Sequence, residues 1–333
     1  MSHRLQDLLT LWTELKDQHQ WVLASVIETQ GSSYRKPGAM MLINDMGQYF
    51  GLVSGGCLES DVMRQARRCW QDGQAREVVY DMREEGDFAW ELGIGCGGMV
   101  RLWLQPISAS NNYLELEELL KVLNRGEPQG YRIKLISHPV SNQLLATSTI
   151  ASKRLSDDAF EQVLQPRPRL WILGAGVDAI PVIQMAANLG WQVFINDPRV
   201  SHGRASGFEQ AHWRGQCAIE ALAQDFEFNR ADAVVVMHHN LQMDAQALGL
   251  LVNHNAKFVG QLGPKHRTQE LLELADIRLS DFTQGLSNPI GLDLGGDLPE
   301  AIALSIVAEI QAVLEGKIAI EPAKRRPELS RAV

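Results

Sequence analysis

At 333 residues the chain is longer than a single hydrophobic core usually needs, so two domains are expected. Its composition, 45% hydrophobic and 21% charged, is that of a globular protein, and no stretch approaches the roughly 18 uninterrupted apolar residues of a membrane span. A net charge of -9, with one short basic cluster at Lys324-Arg325-Arg326, argues against nucleic acid as a partner, because backbone-phosphate affinity comes from clustered Lys and Arg.

In chain order, the first residues lack the basic-then-apolar order of a secretory leader, which predicts a cytoplasmic protein whose four cysteines are free thiols. Leu5, Leu8, Leu9, Trp12 and Leu15 share one face of a helix. Trp21 to Thr29 reads as a strand, Gly31 to Gly38 as turn, and Met40 to Ile43 with Tyr49 to Val53 as a hairpin. A helix is expected from Cys57 to Trp70, ending before Gly73. Strands at Glu77 to Tyr80 and Met99 to Leu104 flank the glycine-rich Gly93 to Gly98. A helix at Leu114 to Leu123 and a hairpin of Tyr131 to Ile136 with Gln143 to Ile150 follow.

The two prolines of Gln165-Pro166-Arg167-Pro168 precede a change to regular strand-helix alternation. Strands Arg169 to Leu173, Gln192 to Asn196, Ala233 to Met237 and Phe258 to Gly260 are separated by helices Asp178 to Leu189 and Gln242 to Val252. That order requires a parallel sheet with covering helices. A last helix, Pro299 to Leu314, begins with Asp297 and Glu300 spaced as a capping box. The expected fold class is α/β: a C-terminal Rossmann-like domain with a mostly parallel sheet, plus an N-terminal mixed α+β domain. The expected boundaries are 1–108 for the N-terminal domain, 109–166 for a connecting helix and hairpin, 167–316 for the Rossmann-like domain and 317–333 for a flexible tail.

Gly174-Ala175-Gly176 with Ala179 fits the G-x-G-x-x-A dinucleotide fingerprint, between an apolar strand and a helix. Such a helix start offers amides and a dipole to a phosphate. Asp197, after the next strand, stands where an acid accepts from a ribose diol, and Arg199 could offset its repulsion of a 2′-phosphate, leaving NAD and NADP both open. The alternative is a loop that closes the turn and binds nothing. Asp178 is assigned a helix-capping role, since an acid beside a phosphate site costs affinity. His238-His239-Asn240 falls at the carboxyl end of a strand, where ligands of open α/β sheets bind, or forms a polar loop.

In the N-terminal half, Ser54-Gly55-Gly56-Cys57 and Gly95-Cys96-Gly97-Gly98 set diglycines against a cysteine, at a backbone-entropy cost that plain filling does not explain. Cys57 is expected at a helix start, which favours thiolate, and Cys96 in an amide nest. Cys69 and Cys217 are expected to be small buried apolar groups. Structural zinc is disfavoured, because neither glycine-flanked cysteine belongs to a C-x-x-C pair with histidines at the usual spacing. Glu59 is expected to act on the dipole of the following helix.

Gly31-Ser32-Ser33 with Pro37-Gly38, Ser54 to Cys57, Gly95 to Gly98, the Gly174 loop, Asp197-Pro198-Arg199 and Pro289-Ile290-Gly291-Leu292-Asp293 together resemble the XdhC/CoxI family, maturation factors for molybdenum hydroxylases such as xanthine dehydrogenase. The chain departs from many members at Val177, where they carry histidine, and at His238-His239-Asn240, where they carry a threonine-histidine-aspartate-histidine run. The resemblance implies a protein that binds molybdenum cofactor, as molybdopterin or its nucleotide form, supports its sulfuration by a cysteine desulfurase and delivers it to the hydroxylase. It implies cofactor contacts at Ser54, Gly55, Gly56, Cys57, Gly95, Cys96, Gly97 and Gly98, with Cys57 and Cys96 as molybdenum contacts. Tyr34 and Arg35, in the Gly31 loop, either meet the pterin or phosphate or form a solvated turn. Gly174, Gly176, Asp197 and Arg199 remain the expected nucleotide-binding set. The expectation is a non-catalytic cofactor chaperone, with homodimer formation left open; the competing reading is an NAD(P)-dependent oxidoreductase.

Overall fold

The computed structural model describes residues 4–56, 58–81, 83, 97–150, 153–203 and 206–318. The chain divides into two units, Met1–Arg167 and Pro168–Val333.

In the first unit, helix α1 (Leu5–Leu15) precedes strands β1 (Trp21–Gln30), β2 (Met40–Asn44) and β3 (Tyr49–Gly51). Helix α2 (Glu59–Asp72) ends at left-handed Gly73, whose amide donates to the Cys69 carbonyl, and β4 (Arg76–Asp81) and β5 (Met99–Ile107) follow. These strands form an antiparallel sheet in the order β3-β2-β1-β5-β4. Alternation along β1 explains its unbroken apolar run: Trp21, Leu23 and Ile27 enter one core with α1, while Val22, Ala24 and Val26 enter another with α2.

Residues 109–166 also belong to this unit. A 3-10 segment (Ala109–Glu115) leads into α3 (Leu116–Asn124), whose Leu116, Leu119 and Leu123 join Leu8, Leu9 and Trp12 in the α1-side core. The expected hairpin is present as β6 (Gln129–Lys134) and β7 (Asn142–Leu145), but it is part of a four-stranded sheet, β7-β6-β9-β8, completed by β8 (Arg154–Leu155) and β9 (Ala159–Leu164).

The second unit holds a parallel sheet of β10 (Arg169–Leu173), β11 (Gln192–Asn196), β12 (Trp213–Gly215), β13 (Ala233–Val236) and β14 (Phe258–Gln261) in the order β12-β11-β10-β13-β14. In chain order this is 3-2-1-4-5, the Rossmann-like arrangement expected, with its switch point between β10 and β13. Helices α4 (Ala179–Asn188) and α7 (Pro299–Leu314) cover one face, and α5 (Leu241–Leu251) and α6 (Lys265–Ala275) the other. The capping box expected for α7 is not formed: Leu298 is the N-cap, no side chain caps the helix, and Pro299 sets its first turn. Among the described residues no helix is long and apolar enough to cross a membrane.

Candidate functional site

The register of the antiparallel sheet gathers the N-terminal motifs. Gln30 pairs with Met99, Met99 with Asp81, and Met41 with Gly51, so the segments after β1, β3 and β4 and the one before β5 all emerge at one end of the sheet. Gly31 (φ +69°) and Gly98 press together there. A Cβ on Gly98 would lie 2.0 Å from the Ser32 carbonyl oxygen and 2.8 Å from that of Gln30, so only glycine fits. Gly55 sits beside Tyr34, where a Cβ would lie 3.6 Å from the ring; the ring itself is 64% exposed. Gly55, Gly56 and Gly97 are also exposed.

Ser54 does not present its hydroxyl to solvent, as a ligand contact would. It is buried, its Oγ donates to the Glu59 carboxylate, and the same oxygen accepts from the Gly56 amide (3.2 Å) and the Leu58 amide (3.1 Å). The Ser54 amide donates to Glu59 Oε1 at 3.1 Å. Glu59 therefore does more than complement the dipole of α2: it fixes the loop that runs into Cys57. Cys57, Gly95 and Cys96 themselves lie outside the described residues.

Behind this loop is a group that no motif marked. Asp61, in the first turn of α2, accepts from the Tyr80 hydroxyl at 2.7 Å and from Arg64. Burial alone would raise its pKa, but these hydrogen bonds outweigh it and hold the carboxyl below its usual range. The Tyr80 hydroxyl is pushed up, first by burial and then by Asp61.

In the Rossmann-like unit the glycine loop is placed as its fingerprint requires, but its polar groups are engaged by the chain itself. Gly174 (φ +124°) ends β10 so close to β13 that a Cβ would lie 2.4 Å from the Met237 carbonyl oxygen. Asp197 is 2% exposed and takes four donors: the Ala175 amide (2.8 Å), the Arg199 amide (3.0 Å), and Arg199 Nε (2.9 Å) and Nη2 (2.7 Å). Its two oxygens offer about four lone-pair sites, so none is left for a ribose diol. Burial opposes ionisation of Asp197, yet Arg199 and the Ala175 amide together hold its pKa below the usual range. Arg199 also donates to the His238 carbonyl at 2.9 Å. It braces the switch point and does not face outward as a phosphate ligand would.

Asp178 does not cap α4 either. Its carboxylate folds back so that a Cβ on Gly176 would meet Oδ1 at 2.4 Å, and Oδ2 lies 2.7 Å from His239 Nε2. The acid thus stands where a pyrophosphate would approach Gly176. The hydrogen bond to Asp178 raises the His239 pKa.

His238 is buried. Its Nδ1 and its amide both lie 3.0 Å from Asp244 Oδ1, and Arg267 donates to Asp244 Oδ2 at 2.7 Å. Burial would raise the Asp244 pKa, but His238 and Arg267 reverse that and lower it. Asn240 caps α5 by accepting from the Met243 amide at 3.0 Å, so the polar run after β13 is mainly structural. Cys69 is buried as expected, whereas Cys217 is exposed, its backbone paired with the Asn196 side chain.

An exposed ring beside solvent-facing glycine backbone suits a flat ligand with an anionic end. Among the described residues the end of the N-terminal sheet offers this. Among the described residues no cluster of three or more His, Cys, Asp or Glu side chains could hold a metal ion.

Residues 15–81 match the XdhC and CoxI family, and residues 170–310 match the XdhC Rossmann domain. The chain is 32% identical over 315 residues to a probable xanthine dehydrogenase subunit of Bacillus subtilis, covering 89% of this chain and 94% of that protein. It is 26% identical over 296 residues to the molybdenum cofactor insertion chaperone PaoD of Escherichia coli, covering 88% and 83%. A crystal structure of a xanthine dehydrogenase from Bacillus halodurans superimposes with a TM-score of 0.81 at 29% identity, covering 96% of this chain and 97% of that one. With similarity of this extent in both units, the chain belongs to the XdhC and CoxI family.

Proposed function

We propose that this chain is an insertion chaperone for molybdenum cofactor that serves a xanthine dehydrogenase-like hydroxylase. The observation that carries the reading is the convergence of the Gly31, Ser54 and Gly97 segments at one end of the N-terminal sheet. It is supported by similarity over most of the chain to a protein named as such a chaperone. In this reading the glycine backbone and Tyr34 receive the pterin, and Glu59 and Ser54 hold the loop that carries Cys57. Cys57 and Cys96 contact the metal while a cysteine desulfurase sulfurates the cofactor, and the loaded protein then passes it to the hydroxylase. Once delivered, the cofactor supplies the hydroxylase with its molybdenum centre.

The purified protein is expected to bind molybdenum cofactor in a fixed ratio, and Cys57→Ala or Cys96→Ala to weaken that binding. Absence of binding by the wild-type protein overturns the reading; unchanged binding in both variants removes the cysteines from it. Titration with NAD(H) to millimolar concentration is expected to show no binding, because Asp197 is saturated and Asp178 stands over Gly176.

A further inference from the structure

The Pro37-Gly38 turn, at the same end of the N-terminal sheet, is met by two side chains from the β8-β9 region of that unit. Lys153 Nζ donates to the Pro37 carbonyl at 2.6 Å. Gly38 (φ +95°) is so close to both that a Cβ there would lie 3.0 Å from Lys153 Nζ and 2.1 Å from Gln162 Oε1. Gln162, on β9, is 2% exposed, and its Nε2 has no hydrogen-bond partner among the described residues, an expensive state for a buried amide donor.

Arg35 and Lys36 precede Pro37, and among the described residues no ion pair is made by Arg35, Lys36 or Lys153. The Lys153 pKa is lowered, chiefly by desolvation and then by the nearby Arg35 charge. In a chain of net charge -9, cations brought together with no ion pair among the described residues form half of a binding arrangement.

The geometry points to a phosphate subsite at the Pro37-Gly38 turn, with Lys153 and Arg35 as its cations and Gln162 packed against the turn. Its occupant is the phosphate end of the cargo, and to that extent the inference rests on the proposed function. Tyr34, three residues before Pro37 and beside Gly55, then offers its ring to the ring system of the same molecule. The site is distinct from the Gly174 loop, to which the fingerprint would assign the phosphate.

The test uses the full-length protein, with inorganic pyrophosphate and molybdenum cofactor as separate probes in calorimetric titration. Lys153→Gln, Arg35→Gln and the double variant are compared with Lys257→Gln, an exposed lysine of the second unit, as control. The double variant is expected to lose roughly tenfold or more in affinity for both probes, and pyrophosphate to compete with the cofactor. Thermal unfolding within about 2 °C of wild type certifies the fold of each variant. Equal cofactor affinity in wild type and double variant overturns the subsite and leaves the chaperone reading standing. Pyrophosphate binding that depends on Lys153 and Arg35, without any cofactor binding, keeps the phosphate subsite and removes the chaperone reading. No pyrophosphate binding by the wild type, together with unchanged cofactor affinity in the variants, marks the turn as a solvated surface and overturns the inference.

Discussion

The Gly174 loop and the glycine segments of the N-terminal sheet meet the same steric demand and dispose of their polar groups in opposite ways. At Gly174 and at Gly98 a methyl group would strike a neighbouring carbonyl oxygen. Around Gly174, however, Asp197, Arg199 and the Ala175 amide satisfy one another, and Asp178 with His239 closes over Gly176. At the end of the N-terminal sheet, Tyr34, Gly55, Gly56 and Gly97 are left facing solvent. A glycine fingerprint therefore reports how closely backbones approach, and ligand binding has to be argued from the donors and acceptors that remain.

Four substitutions probe that contrast, from the largest effect to the smallest. Gly98→Ala is expected to cost roughly 3 kcal/mol or more in denaturant unfolding, because the clash is with backbone and cannot be relieved by a rotamer. Asp197→Asn is expected to cost about 2–3 kcal/mol through loss of the Arg199 fork, while cofactor affinity stays at the wild-type value. A cofactor affinity that fell in this variant at full folding would dissolve the contrast. The sign of its pH effect is fixed as well. The folded pKa of Asp197 is lowered, so its contribution is complete above the unfolded value of about 3.9 and is lost as pH falls through the folded one. Acid unfolding below about pH 4 should accordingly become shallower in the variant.

Ser54→Ala leaves the Glu59 carboxylate and two amides short of a partner, for about 1–2 kcal/mol, and should weaken cofactor binding as the Cys57 loop loosens. Stability loss without any change in binding would uncouple that loop from the cargo. Least affected is His239→Gln. The raised His239 pKa means that its pairing with Asp178 is fully present below about pH 6.5 and fades as pH rises through the folded value. Because the ring is half exposed, the difference should stay under about 1 kcal/mol in unfolding curves taken across that range.

The parts of the fold that could be read in advance are those with a strong local period. Arg169–Leu173, Gln192–Asn196 and Pro299–Leu314 fall where apolar runs and spacing place them. β12 escaped because Trp213-Arg214-Gly215 has no apolar run and is held by its neighbour in the sheet. β9 escaped because a buried Gln162 interrupts its apolar pattern. In the candidate sites, residue types were legible and partners were not. Asp178 looked like a helix cap, yet its partner His239 is 61 residues away. Asp197 looked like a ribose ligand until Arg199, two residues on, proved to fill its lone pairs. The first choice is settled by tertiary distance and the second by side-chain direction between near neighbours, and residue type alone encodes neither.

The unequal setting of Cys69 and Cys217 determines how any sulfur-transfer experiment on this protein must be counted. Cys69 is buried, and desolvation pushes its thiol up to about 11, so at neutral pH it stays protonated and silent toward alkylating or persulfide reagents. Cys217 stands in solvent and is open to the same reagents. Labelling stoichiometry in the native protein therefore carries a background from the second unit, and a Cys217→Ser chain is the background in which sulfur found on Cys57 or Cys96 can be assigned.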